Sequence, residues 1–406
     1  MVSRRYWIHL ILWTVFMVLL IIIYWNVMGT SATFYLHSAT STLHVRQQLE
    51  GGHQKTELAD KEPSFLSVSD AFVNQSLAGR NAQHQPEPSK SDKVLLRREW
   101  KNNLSAIAQK LKQRQRERKD TLRSACSANS ALMFPGKNRK FDDIPDTELK
   151  NFIVDDHHKI IYCFVPKVAC TNWKSVMAVL SERRVGGVVY HNPQKVPGDT
   201  IHTNNLLLTF DQFRRRYGSS SRRMIKTKLQ KYTKFLFVRD PFVRLISAFR
   251  NKFVENNDVF YKQYARGMLQ KYGKCPKPPA SFRQALAAGI RLKFSHFIQY
   301  LLDPETEKRG PYDPHWRQVH RMCHPCQINY DFVGKLETLD EDAEHLLRIL
   351  RVDNVVRFPV SGRNQTNRNW EQEYFAGVPY KWRRQLYKLY EADFRLFGYD
   401  KPKELM

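Results

Sequence analysis

KIIYCFVPKVACTNWKSVM, from Lys159 to Met177, reads as a strand, a tight loop and the start of a helix. Lys159–Val165 is apolar and rich in β-formers (Ile160, Ile161, Tyr162, Phe164, Val165), as a buried strand should be. Pro166 ends the strand because it has no N–H for the ladder. Thr171 or Asn172 stands where it can cap the following helix. A strand that runs into a helix N-terminus leaves free backbone N–H groups and partial positive charge at one point. Such a point binds phosphate, and Lys167 lies in the loop beside it. An ordinary β-loop-α unit with a solvated lysine fits this stretch equally well.

The rest of the chain alternates in the same way. A helix over Leu206–Tyr217, ending at Gly218, precedes a second buried strand, Lys234–Val238. Arg239-Asp-Pro follows, then a helix from Phe242 to Val254. Helical spacing returns at Ser281–Ala288 and Ser295–Leu302, and a third strand is expected at Tyr330–Lys335. The helix Leu339–Leu350 starts with Asp340, Glu341 and Asp342 and ends near Arg348 and Arg351, which complements its macrodipole. A last helix spans Tyr380–Leu396. Strands alternating with helices predict an α/β domain with a central parallel sheet flanked by helices. The expected domain runs from Cys126 to Met406.

The first 125 residues read differently. Residues 1–5 form a short tail with Arg4 and Arg5. Tyr6–Met28 then contains no Asp, Glu, Lys or Arg over 23 residues, enough for a transmembrane signal-anchor. The preceding arginines favour a cytoplasmic N-terminus, with Trp7, Tyr24 and Trp25 at the two interfaces. A cleaved signal peptide has a shorter apolar core. Residues 29–125 read as a flexible lumenal stem with sparse apolar residues. Within it, Leu96, Trp100, Leu104, Ile107 and Leu111 mark an amphipathic helix near 96–122. Its second half, KQRQRERK, reads as a solvated basic face.

The 406 residues carry 66 Lys+Arg against 39 Asp+Glu, a net charge of +27, which calls for an anionic partner. A lumenal chain has no access to nucleic acid, so that class is excluded. The sequons at Asn74, Asn103 and Asn364 agree with a lumenal glycoprotein. Six cysteines are too few for a disulfide scaffold. Cys163 reads as a buried apolar thiol, whereas Cys126, Cys275, Cys323 and Cys326 are available for disulfides. Cys323-His-Pro-Cys326 supplies only two ligands, so no metal site is expected and a structural role is.

The second strand runs straight into Arg239-Asp-Pro-Phe-Val-Arg-Leu-Ile-Ser-Ala-Phe-Arg250. In open parallel sheets ligands bind outside the carboxyl ends of the strands. The Lys167 loop and Arg239 therefore converge on one anion, with Ser247 as a further donor. From Arg214 to Arg250 there are twelve Lys and Arg and one acid, Asp240. Neither the glycine-rich P-loop G-x-x-x-x-G-K-[ST] nor a strand-linked G-x-G-x-x-G is present, so a standard nucleotide loop is excluded. What remains is a donor with two separated phosphate groups, one at each strand end.

VPKVACTNWK together with FVRDPFVRLISAFR resembles the HNK-1-type family of Golgi carbohydrate sulfotransferases. The segments FDDIP, HWRQVHRMCHPCQINYDFVGKLETLDED and LYKLYEADFRLFGY are similar to it too, so the resemblance covers Cys126 to the C-terminus. It implies a P-loop-like sulfotransferase fold, a Golgi single-pass type II membrane protein and the donor 3′-phosphoadenosine 5′-phosphosulfate, with no metal. By the same resemblance Pro166, Lys167, Val168, Ala169, Cys170, Thr171 and Asn172 form the 5′-phosphosulfate loop. Arg239, Asp240, Pro241, Phe242, Val243, Arg244, Leu245, Ile246 and Ser247 form the 3′-phosphate motif, with Arg239 and Ser247 as direct contacts. The implied acceptor is the 4-hydroxyl of N-acetylgalactosamine in chondroitin; dermatan or terminal N-acetylgalactosamine on N-glycans are the near alternatives, and a non-catalytic glycosaminoglycan-binding protein the distant one. Lys167 is the expected electrostatic catalyst. His202 is the expected base, since it follows the first loop and helix as a catalytic histidine does in related glycan sulfotransferases. His191, His296, His315 and His320 are its rivals.

Overall fold

The computed structural model describes residues 90–182, 184–202, 206–359, 370–402 and 405, with side chains from residue 105 onward. The apolar stretch Tyr6–Met28, the stem up to residue 89, and the sequons at Asn74 and Asn364 lie outside the described residues. Among the described residues no helix is long and apolar enough to cross a membrane.

Four strands make the central sheet: β1 (Phe152–Asp155), β2 (Ile160–Cys163), β3 (Thr233–Val238) and β4 (Phe332–Lys335), in the spatial order β1-β2-β3-β4. β2, β3 and β4 are parallel, as the alternation of strands and helices predicts. β1 is antiparallel to β2, so the sheet is mixed rather than wholly parallel. β1 leaves no periodic signal in the sequence, because its four residues, Phe-Ile-Val-Asp, are too few to show a period. All four are buried, as are β2 and most of β3.

Six helices matter for the site: α1 (Lys90–Cys126), α2 (Cys170–Leu180), α3 (Pro241–Phe249), α4 (Phe294–Leu302), α5 (Leu339–Leu350) and α6 (Tyr380–Leu396). α5 and α6 match their expected bounds. The helix expected over Phe242–Val254 stays α-helical only to Phe249 and continues as a π-turn over Arg250–Val254. The one expected over Leu206–Tyr217 starts at Phe210, where Thr209 and Gln212 form a capping box. Between α2 and the helix Phe210–Tyr217, where a loop with Gly186-Gly187 is expected over Arg183–Thr200, Arg184–Val185 and Val188–Val189 pair as a short hairpin. Its turn residues, Gly186 and Gly187, have φ of 59° and 85°, a conformation glycine adopts without cost.

Two apolar cores hold this arrangement. In the first, Trp173 of α2 packs on Phe235 and Phe237 of β3, each at 4.9 Å, and so pins α2 to the sheet. The second gathers α3, α4 and α6 around the fully buried Trp316.

Two expectations need correction. The basic half of α1 is only partly a solvated face: Lys112, Gln113, Arg116 and Glu117 are exposed, but the other side packs on the body. Leu111, Gln115 and Leu122 are buried, Arg114 pairs with Glu341 at 2.7 Å, and Arg118 pairs with the buried Asp342 at 2.6 Å. The helix starts at Lys90 and runs through to Cys126, where the expected domain begins. Asn103 lies on this helix. The second correction concerns Cys163, which is not a free thiol: it bonds Cys323, and Cys126 bonds Cys326. The Cys323/Cys326 pair therefore does have a structural role, with each cysteine joined to a different element. Cys170 and Cys275 remain thiols.

Candidate functional site

The loop after β2 is built with left-handed backbone at two residues that are not glycine, Lys167 (φ 71°) and Ala169 (φ 53°). Each such residue costs on the order of 1–3 kcal/mol and persists only where its surroundings impose it. Ala169, not Thr171 or Asn172, occupies the cap position of α2, and it offers no side-chain cap. The Thr171 hydroxyl instead faces His202, and the Asn172 amide donates to the Pro359 carbonyl at 3.3 Å. No side chain caps the leading N–H groups of α2, and they retain their affinity for an anion. Pro166 and Val168 are buried and anchor the loop, while Lys167, Ala169, Cys170, Thr171 and Asn172 are half-buried.

Burial pulls the Lys167 ammonium down to about 8, with Lys252 the next cause and Arg239 also contributing. An ammonium that is crowded by cations and partly desolvated gains most from a bound anion.

Arg239 sits at the end of β3, 8% exposed, where burial lowers its pKa and the charge of Glu337 opposes that. Asp240 is the cap of α3: its carboxylate accepts from the N–H groups of Phe242 (2.8 Å) and Val243 (3.0 Å). Burial raises the Asp240 carboxyl to about 6. Asp240 thus fixes the start of α3 directly after Arg239. Phe242, Leu245 and Ile246 belong to the second core, Pro241 is buried, and Val243 and Ser247 are half-buried. Of the stretch expected to bind the 3′-phosphate, Phe242, Leu245 and Ile246 pack their side chains into the second core.

Arg244, also expected there, does different work. It is fully buried, and its guanidinium donates to two carbonyls, Pro166 at 3.1 Å through Nε and Pro314 at 2.9 Å through Nη2. Its Nη1 has no hydrogen-bond partner among the described residues. The residue before Lys167 is thereby tied to the residue before His315.

Two histidines reach this region. His202 pairs through Nε2 with the Thr171 hydroxyl (3.0 Å) and through Nδ1 with the Lys174 ammonium (3.3 Å). His202 is exposed at the surface, and partial desolvation by its neighbours, then the charge of Lys174, lowers its pKa to about 4. His315 pairs through Nδ1 with Asp313 at 2.6 Å, and its backbone N–H donates to the same oxygen. Burial lowers its pKa; Asp313 opposes that shift, and the charges of Lys252 and Lys167 add to it. The remaining rivals are elsewhere: His320 is bound to Asp393 at 2.7 Å, His296 caps α4, and His191 is exposed. Lys252, in the π-turn after α3, was missed by the sequence reading. Its charge acts on Lys167, His202 and His315 alike. Only its place in the basic run following Arg239 pointed to it.

The arrangement gathers cations at the ends of two adjacent parallel strands and sets two imidazoles beside them. It suits transfer of an anionic group to a neutral nucleophile. Among the described residues no group of His, Cys, Asp and Glu could hold a metal ion.

Residues 150–400 match the family model described as "Sulfotransferase family". Carbohydrate sulfotransferase 12 from Mus musculus is 50% identical, covering 99% of this chain and 99% of its own. Carbohydrate sulfotransferase 12 from Xenopus laevis is 46% identical over 100% of this chain and 99% of its own. Carbohydrate sulfotransferase 11 from Rattus norvegicus is 39% identical over 71% of this chain and 76% of its own. No solved structure matches the chain.

Proposed function

The chain belongs to the sulfotransferase family, and on that premise we propose that it sulfates the 4-hydroxyl of N-acetylgalactosamine in chondroitin. The family implies 3′-phosphoadenosine 5′-phosphosulfate as the donor, and the relatives are carbohydrate sulfotransferases, which supports a glycan acceptor. The observation that carries the reading is the pair of anion-seeking points at neighbouring strand ends. One is the uncapped start of α2 with Lys167, and the other is Arg239 after β3. Adjacent strands lie ~5 Å apart, so both points can act on one donor that bears phosphate at two positions.

The donor, when bound, supplies an activated sulfuryl group. Lys167 and the α2 N–H groups hold its 5′-phosphosulfate and offset the charge that grows on the bridging oxygen. Arg239 and Ser247 hold the 3′-phosphate. One of the two histidines beside the loop, His202 or His315, takes the acceptor's proton. The net charge of +27 favours a polyanionic acceptor such as chondroitin.

The same proposal puts the chain in the Golgi membrane through Tyr6–Met28, with its body in the lumen. Two disulfides agree with an oxidising compartment. The test is sulfate transfer from radiolabelled donor to a panel of chondroitin, dermatan and N-glycans ending in N-acetylgalactosamine, followed by disaccharide analysis. The expected product is 4-sulfated N-acetylgalactosamine, formed fastest on chondroitin. Sulfate at another position, or preference for a different acceptor, overturns the assignment; binding of all three glycans without transfer overturns the enzyme.

A further inference from the structure

We infer that His315, oriented by Asp313 and held against the Lys167 loop by Arg244, is the base that accepts the acceptor's proton. The inference rests on the sulfotransferase reading and adds to it the identity of the proton acceptor and the residues that position it.

The hydrogen-bond pattern separates the two histidines. A lysine ammonium only donates, so Nδ1 of His202 must accept from Lys174. The proton of a neutral His202 then lies on Nε2, which donates to the Thr171 hydroxyl. Neither nitrogen keeps a lone pair for a substrate. In His315 the order is reversed. A carboxylate only accepts, so Nδ1 of His315 donates to Asp313, and the lone pair lies on Nε2. Nε2 has no hydrogen-bond partner among the described residues, and the side chain is 26% exposed, open to an incoming hydroxyl.

Two connections hold this imidazole beside Lys167. Arg244 bridges the carbonyls of Pro166 and Pro314, each one residue before Lys167 and His315. The Cys163–Cys323 disulfide independently ties the strand before the loop to the helix Val319–Cys323, downstream of His315. Trp316, fully buried and edge-on to Tyr264 at 5.0 Å and Phe297 at 5.5 Å, anchors the next residue. The Tyr264 hydroxyl reaches the other oxygen of Asp313 at 3.4 Å. The charged and titratable groups acting on His315 are therefore Asp313 from its own turn, Lys252 from the π-turn after α3, and Lys167 from the loop. Its own charge acts in turn on His202.

The step balances without a further reactant. The acceptor oxygen forms a bond to sulfur while the bond from sulfur to the bridging phosphate oxygen breaks. That electron pair leaves on the phosphate beside Lys167, and the hydroxyl proton moves to Nε2 of His315. Protonated His315 would be stabilised by Asp313, which is the role of an orienting carboxylate.

The experiment compares the full-length wild type with His315→Ala, Asp313→Asn and His202→Ala. It measures steady-state transfer to chondroitin across pH and binding of adenosine 3′,5′-bisphosphate. His315→Ala is expected to bind the bisphosphate within about twofold of wild type, which also establishes that it folds, and to lose ~10²–10⁴-fold in kcat. Added imidazole restores part of the rate in His315→Ala and none in His202→Ala. Wild-type kcat/KM falls as acid protonates the base; this limb disappears in His315→Ala, shifts in Asp313→Asn and remains in His202→Ala. Turnover of His315→Ala within threefold of wild type, or loss of the acid limb in His202→Ala instead, overturns the inference alone. Absence of transfer by the wild type overturns the sulfotransferase reading and this inference with it.

Discussion

Lys167 is where backbone and charge combine. Its φ of 71° places it in a conformation that glycine adopts freely and that lysine adopts at a cost. The side chain compensates by its position, since an ammonium there meets whatever the start of α2 binds. Its pKa of about 8, set first by burial and next by Lys252, gives a testable sign. A bound anion favours the ammonium and raises this pKa, so binding above about pH 8 takes up a proton. Affinity for adenosine 3′,5′-bisphosphate is therefore expected to fall as pH rises past about 8, and titration calorimetry in two buffers should register proton uptake there. Lys167→Ala removes this slope and costs ~10²–10³-fold in kcat, the range for losing one stabiliser of developing charge. An unchanged slope in the variant would sink the assignment.

At the level of elements, the contact of α1 with β4 is the least expected. β4 is an edge strand, and an exposed edge invites unwanted pairing. Gln115 covers it with a side-chain amide that imitates a neighbouring strand: Nε2 donates to the Val333 carbonyl at 3.1 Å, and Oε1 accepts the Val333 N–H at 3.0 Å. Arg118 adds a second donor to the same carbonyl at 2.9 Å and binds Asp342, whose carboxylate also accepts from Thr338 and the Lys335 N–H. Gln115→Ala leaves the buried Val333 N–H without its partner. The expected loss is about 1–3 kcal/mol in denaturant unfolding. Gln115→Glu keeps the acceptor but sets a buried carboxylate oxygen against the Val333 carbonyl, so it should cost at least as much as Gln115→Ala. No change in either variant would mean that α1 leaves the edge in solution.

Across the whole molecule, the two disulfides close long loops: Cys126–Cys326 spans 200 residues and Cys163–Cys323 spans 160. They bring the end of α1 and the end of β2 to the short segment Cys323–Cys326, and so brace the sheet beside the site. Replacing Cys126 and Cys326 together by serine is expected to cost about 2–5 kcal/mol. Thermal unfolding with and without reductant checks this: the wild type should lose stability on reduction by more than the double variant does. Equal losses would show that Cys126–Cys326 contributes nothing.

Local sequence was enough for the parallel strands β2, β3 and β4 and for α5 and α6, because strand composition, helix period and capping residues are written within a few neighbouring positions. It was enough, too, to point at Lys167 and Arg239, since a lysine or arginine that directly follows an apolar run must emerge at a strand's carboxyl end. It did not reveal β1, the docking of the basic helix on β4, or the pairing of Cys163 with Cys323. Each of these depends on residues far apart in the chain. Gln115 and Arg118 look like solvated polar residues until an edge strand lies opposite them. Nor does local sequence show that Arg244 joins the backbone carbonyls of Pro166 and Pro314. His202 and His315 look alike in sequence. Only folding brings a lysine to one ring and leaves the other, held by Asp313, with an open nitrogen, and hydrogen-bond direction then distinguishes them.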